Sequence, residues 1–125
     1  MKHHLVQEDR AVETPNGNAI TALATPSRGA GDVSIIRQQQ QVGGFNPPHF
    51  HDREEVIVVL AGRVTVHTAE ETALLGTGDT LIIPARTIHS LENTGDTPAE
   101  WLIVATSGVR FFPEDGDEMH PGWAK

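Results

Sequence analysis

From Ala19 onward, short apolar runs alternate with clusters of turn-forming residues. The runs are Ala19–Ala24, Val33–Gln39, Glu54–Ala61, Arg63–Thr68, Thr80–Ile83, Ile88–Leu91 and Trp101–Thr106. Ser27–Asp32, Gly43–Pro48, Gly62, Gly76–Asp79 and Asn93–Pro98 separate them. Each run has strand length, and none carries a helical period over the roughly ten residues that a helix needs. Many short strands with regular turns predict an all-β sandwich or barrel. Residues 1–18 are polar and end in the turn signal Pro15-Asn16-Gly17-Asn18. Gly62 is expected to join two strands through a tight turn with positive φ, which glycine adopts without penalty. Pro84 has no amide donor and is expected at a strand end.

The length of 125 residues predicts one domain with a single core. Cysteine is absent, which removes disulfides and thiol chemistry. No apolar stretch approaches the roughly 20 residues of a membrane-spanning helix. The opening MKHHLVQEDRAVETP has no apolar central region, so a secretory leader is not expected and a cytoplasmic protein is. Seventeen acidic residues against nine basic ones give a net charge of −8. The cations form no stripe, and this disfavours nucleic-acid binding.

The chemistry concentrates in two stretches. GGFNPPHFHDREEVIVVLAG, from Gly43 to Gly62, carries His49, His51 and Glu55 at H-x-H-x-x-x-E spacing. GDTLIIPARTIHSLEN, from Gly78 to Asn93, supplies His89. Imidazole nitrogen and carboxylate oxygen suit first-row divalent metals. Side chains alternate across a strand, so an unbroken strand would place His49, His51, Arg53 and Glu55 on one face. Asp52 and Glu54 would face the other way. A bulge near Asp52 and Arg53 would overturn that assignment. His89 must come from another strand.

The two stretches resemble the motifs of the cupin superfamily. Gly43, His49, His51, Glu55 and Gly62 fill the fixed positions of the first motif, G-x5-H-x-H-x(3,4)-E-x6-G. Gly78, Pro84, His89 and Asn93 fit the second, but Arg86 stands where the family has glycine. The resemblance implies a double-stranded β-helix, or jelly-roll barrel. It also implies metal ligation by His49, His51, Glu55 and His89. The barrel core would cover about residues 33–106, with amino-terminal strands in 19–32 and an acidic tail in 107–125. A homodimer is expected by the same resemblance, with Ala19–Ala24 and Val33–Gln39 as candidate edge strands.

Four protein ligands leave about two of six octahedral positions open. Fe, Mn, Ni, Co, Cu and Zn all suit such a donor set. The expected function is a metal-dependent dioxygenase acting on a small organic molecule, in which Glu55 could also act as a base. The alternatives are a non-catalytic small-molecule binding protein and a metal-dependent isomerase or decarboxylase. By parity, Ile57 and Val59 follow Glu55 inward, and Leu91 and Asn93 follow His89, giving a mainly aliphatic wall. Arg37, Gln39 and Gln41 share a face that is either solvated or oriented toward a polar substrate. Arg86 is either a loop cation or a partner for a substrate carboxylate. Arg53 is expected to reach solvent, and His67 to be an ordinary surface residue. His3, His4 and His120 lie in terminal segments, where the His3-His4 pair would bind metal adventitiously. Ser34, Ser90 and Ser107 have no Ser-His-Asp context. Phe111, Phe112 and Trp123 either pack over the barrel or belong to a loosely ordered tail.

Overall fold

The structure, a computed structural model, describes residues 1–3, 5 and 11–121. Among the described residues eleven strands follow one another: β1 (Val12–Thr14), β2 (Asn18–Ala24), β3 (Val33–Gln40), β4 (Phe45–His51), β5 (Glu55–Ala61), β6 (Arg63–Thr68), β7 (Thr72–Gly76), β8 (Thr80–Ile83), β9 (His89–Glu92), β10 (Ala99–Thr106) and β11 (Phe111–Pro113). A 3-10 turn, Pro26–Arg28, lies between β2 and β3. Among the described residues no helix is long and apolar enough to cross a membrane. The strands form two antiparallel sheets, ordered β1-β2-β3-β10-β5-β8 and β11-β4-β9-β6-β7. This is the all-β architecture expected from the strand pattern, in the jelly-roll form that the cupin resemblance implies.

Alternation dictates how the sheets face each other. Ile57 and Val59 of β5 point inward, as do Val64 and Val66 of β6, Leu91 of β9, and Ala99 and Trp101 of β10. Together with Leu75 and Ile83 they form one buried aliphatic cluster around Trp101. That cluster fills the half of the sandwich between β5, β8, β10 and β6, β7, β9. The other half, between β2, β3 and β4, β11, holds a cavity.

Several strands differ from the sequence expectation. The stretch Gly43–Pro48 was expected to be a turn, yet β4 begins at Phe45. The register of β4 against β9 shifts between Asn46 and His49, so Pro47 and Pro48 sit at an irregularity where no ladder amide is required. Strands β1, β7 and β11 are too short to stand out by composition. The chain between His51 and Glu55 is bent rather than extended. His49 and His51 therefore lie in one sheet and Glu55 in the other, and the single unbroken strand does not exist. One of the candidate edge strands is also corrected. β3 lies between β2 and β10 and is interior, whereas β1 covers β2 only over Asn18–Ile20, so among the described residues Thr21–Ala24 remains at the sheet edge.

Two turn residues illustrate the backbone constraints. Gly62 has φ 72°, and a Cβ there would meet Pro98 O at 2.5 Å and Ala99 Cα at 2.9 Å. Arg86 is the one non-glycine residue with positive φ, at 63°, among the described residues. It stands where the cupin motif has glycine, and its amide donates to His51 O at 2.7 Å. A left-handed conformation costs a side-chain-bearing residue about 1–2 kcal/mol, against roughly 0.5–1 kcal/mol for the extra entropy of glycine. Arg86→Gly is therefore expected to be neutral to stabilising, by up to about 1 kcal/mol. Gly62→Ala is expected to cost at least about 2 kcal/mol, because strain and overlap add. Urea denaturation of both variants checks this; a destabilised Arg86→Gly or an unaffected Gly62→Ala would contradict it.

Candidate metal centre

Strand pairing brings the histidines together. His49 of β4 lies directly opposite His89 of β9, and their ring centroids are 4.3 Å apart. His51 is two residues further along β4, so its side chain returns to the same face. Its ring lies 5.1 Å from that of His49 and 5.6 Å from that of His89. One nitrogen from each of the three rings can be chosen so that all lie within 4.8 Å of one another. Glu55 enters from the facing sheet as the first residue of β5. Its Oε2 is 2.8 Å from His51 Nε2, and its Oε1 is 3.2 Å from His89 Nε2.

Burial dominates the electrostatics. The Glu55 carboxyl is only 3% exposed, which by itself raises its pKa. Hydrogen bonding and charge from His51 and His89 outweigh that effect and hold the group well below the usual carboxylate range. Glu55 is thus an anion inside the fold. Burial lowers His89, but its contacts with Glu55 prevail and raise it above the ordinary imidazole value. His49 is pushed down to about 4 by burial and by the neighbouring His89, and stays neutral at ordinary pH.

The donor atoms fit a metal ion. His49 Nδ1–H donates to Pro47 O at 2.8 Å, and His89 Nδ1–H donates to Thr87 O at 2.8 Å. Each bond fixes the ring and leaves Nε2 as the free donor, the usual support for a metal-binding histidine. His89 Nε2, beside Glu55, is buried without a well-formed hydrogen bond. Buried polar atoms are rarely left so, and a cation held by the three rings and the carboxylate would satisfy the centre.

The site opens into a cavity of about 230 Å³. Ile20, Ile36, Ile57, Leu91 and Ile103 supply its aliphatic surface, and Phe111 and Met119 close it from the tail. Its polar side is an amide cluster. Gln38 Nε2 donates to Asn18 Oδ1 and Asn46 Oδ1, both at 2.7 Å. Gln40 Nε2 donates to the same two oxygens, at 2.9 and 3.0 Å. Asn18 Nδ2 is committed to Phe45 O at 2.9 Å, which fixes the orientation of every amide in the cluster. Asn46 Nδ2 then has no hydrogen bond among the described residues, and Asn46 lines the cavity.

Parity along β5 and β9 correctly turns Ile57, Val59, Leu91 and Asn93 inward, although only Ile57 and Leu91 reach the cavity. Asn93 is structural: its Nδ2 donates to Gln40 O and Thr97 O. Arg53 and Arg86 are exposed and do not line the cavity. His67, half-exposed, bonds Thr72 and lies 3.7 Å from Glu92. Gln39 and Gln41 face solvent, and it is Gln38 and Gln40 that turn inward. The period-two rule marked that choice, but the run of four glutamines gave no contrast by which to see it. Phe111 and Phe112 pack on β4, against His51 and Phe50. His4 and Trp123 lie outside the described residues.

The cupin domain family model matches residues 36–105, so this chain belongs to the cupin family. Among curated proteins, it is 31% identical to oxalate oxidase GF-2.8 of Triticum aestivum over 115 residues, covering 80% of this chain and 51% of that protein. It is 40% identical to germin-like protein 5-1 of Oryza sativa subsp. japonica over 81 residues, covering 60% and 37% respectively. The chain thus spans about half the length, or less, of these relatives. Among solved structures, the polyketide cyclase RemF from Streptomyces resistomycificus superposes with a TM-score of 0.80 at 22% identity, covering 94% of this chain and 87% of that one. An oxalate oxidase superposes with a TM-score of 0.70 at 27% identity, covering 87% and 61%.

Replacing His49, His51 or His89 by Ala should lower metal affinity by at least about tenfold each, and Glu55→Ala far more than Glu54→Ala. Elemental analysis after dialysis checks this, in protein freed of any histidine tag; equal losses for Glu54 and Glu55 would contradict it. Metal must also displace the proton from His89. Because that group is raised above 6.5, affinity should fall about tenfold per pH unit below its pKa. Zn(II) titrations at about pH 6 and about pH 8 should differ accordingly; equal affinities would remove His89 from the donor set.

Proposed function

We propose that this chain is a metal-dependent cupin enzyme that oxidises a small organic molecule with dioxygen. The observation that carries this is the convergence of His49, His51, Glu55 and His89 beside an aliphatic cavity whose wall His49, His51 and Glu55 form. Three neutral imidazoles and one carboxylate suit a divalent first-row metal and leave about two positions for substrate and dioxygen. A redox-active ion held there by His49, His51, Glu55 and His89 would pass electrons from the substrate to dioxygen and would polarise a substrate oxygen as a Lewis acid. The chain's own groups have separate tasks. Pro47 O and Thr87 O hold the imidazoles in register. The isoleucines exclude water. The free amide hydrogen of Asn46 offers a hydrogen bond to a polar substrate atom. Glu55, held ionised, can accept a proton if it releases the metal. The 31% identity with an oxalate oxidase supports an oxidase.

The test is anaerobic loading with Fe(II), followed by oxygen uptake against a panel of phenols and 1,3-diketones. Uptake matched by substrate loss, and abolished in His51→Ala and His89→Ala, is expected. Fully loaded protein that consumes no oxygen with any of them would overturn the proposal. A second reading, a non-catalytic binding protein, draws on one observation: among the described residues, His49, His51 and Glu55 are the titratable side chains lining the cavity. A compound that raises the melting temperature and is recovered unchanged would favour it. Turnover that persists without dioxygen would assign the site to an isomerase or decarboxylase.

We also propose that the chain forms a homodimer. Ile82, Val56, Val104 and Ile35 stand in register across β8, β5, β10 and β3. They lie on the face of the sheet opposite the core, and Val33, Leu60 and Ile82 there are exposed. A continuous apolar face of this kind favours a two-fold contact. Light scattering should give twice the 13.5 kDa chain mass; a value near the single chain would refute the dimer.

A further inference from the structure

The tail beyond β10 is built as a closed strap beside the metal centre. Phe111 and Pro113 of β11 stand opposite His51 and His49 of β4. Phe111 meets the His51 ring edge-on, with centroids 4.6 Å apart. The chain then loops out and returns, and Met119 N donates to Phe111 O at 2.7 Å. The Arg110 guanidinium grips the Glu118 carboxylate with two bonds, at 2.9 and 2.7 Å, which closes the loop. Asp52 Oδ1 accepts from Arg110 N at 2.6 Å and ties the strap to the bend between β4 and β5. Phe111, Pro113 and Met119 all face the cavity.

We propose that the strap Phe111–Met119 is the specificity wall of this pocket, and that it selects a flat, largely apolar molecule with a single oxygen donor over a small dianion such as oxalate. The inference rests on the reading of the cavity as a substrate site. Two observations carry it. First, the wall opposite the isoleucines is an aromatic ring, a proline and a thioether, surfaces suited to the face of a flat apolar group. Second, the charges do not accommodate a dianion. Among the described residues neither lysine nor arginine lines the cavity. A divalent ion with Glu55 and three neutral imidazoles carries one net positive charge. A monoanionic oxygen neutralises it. A dianion leaves one negative charge in an apolar cavity, which is costly without a partner.

The test uses the full chain loaded with redox-inert Zn(II), titrated calorimetrically with 2-naphthol and with oxalate. Binding of 2-naphthol at least about tenfold tighter than oxalate is expected. Met119→Trp, which fills the cavity from the strap, should weaken 2-naphthol at least about tenfold with zinc content unchanged. Met119→Ala, which keeps the backbone closure, should weaken 2-naphthol severalfold. Circular dichroism confirms that each variant is folded. Oxalate binding as tight as 2-naphthol would overturn the substrate class. Unchanged 2-naphthol affinity in both Met119 variants would overturn the role of the strap. Should zinc fail to bind, the metal reading falls, and the same comparison on metal-free protein still decides whether the strap is the wall.

Discussion

An ionised carboxylate buried at the margin of an aliphatic core is the constraint around which this fold is organised. Isolated burial of Glu55 would cost several kcal/mol. It is tolerated because His51 and His89 approach it at 2.8 and 3.2 Å. That demand ties together strands of both sheets. β4 and β9 must pair with His49 opposite His89, and β5 must start where its first side chain reaches across. The aliphatic cluster around Trp101 holds β5, β9 and β10 in place. The core therefore serves the polar site by fixing the strands that deliver its groups, and the site closes the end of the sandwich that the core leaves open.

Much of this was legible in the residues. Long apolar runs bounded by glycine and proline gave seven of the strands, since their hydrophobicity exceeds that of their surroundings. The four polar groups brought together at the centre were legible from spacing, although the geometric route was different. The chain bends between His51 and Glu55, and Glu55 faces inward because β5 has its own alternation. Pro47 and Pro48 hid β4, because proline signals a break where the structure tolerates an irregular strand. β1, β7 and β11 were hidden because short strands take their pairing from partners distant in sequence. The amide cluster was hidden for another reason. Asn18, Gln38, Gln40 and Asn46 are polar residues that satisfy each other, and composition alone cannot distinguish such a cluster from a solvated surface.

The metal centre and the cavity draw on different parts of the chain. The histidines and Glu55 sit on strands packed against the core, whereas Met119 comes from the return segment beyond β11, held by its bond to Phe111 O and by the Arg110–Glu118 ion pair. Changes in the tail can therefore alter the shape of the cavity while the donor atoms keep their positions. This separation suits a fold that accommodates different ligands around one set of metal-binding groups.

The return of Met119 onto Phe111 also matters for solubility. β11 is the edge of its sheet, and an open edge is a template on which other chains can grow. Here the outward carbonyl of Phe111 is already occupied by the amide of Met119, and Pro113 contributes no donor. The chain thus seals its own edge beside the pocket, and any strand addition between molecules is diverted to the edges formed by β1 and β2, β7 or β8.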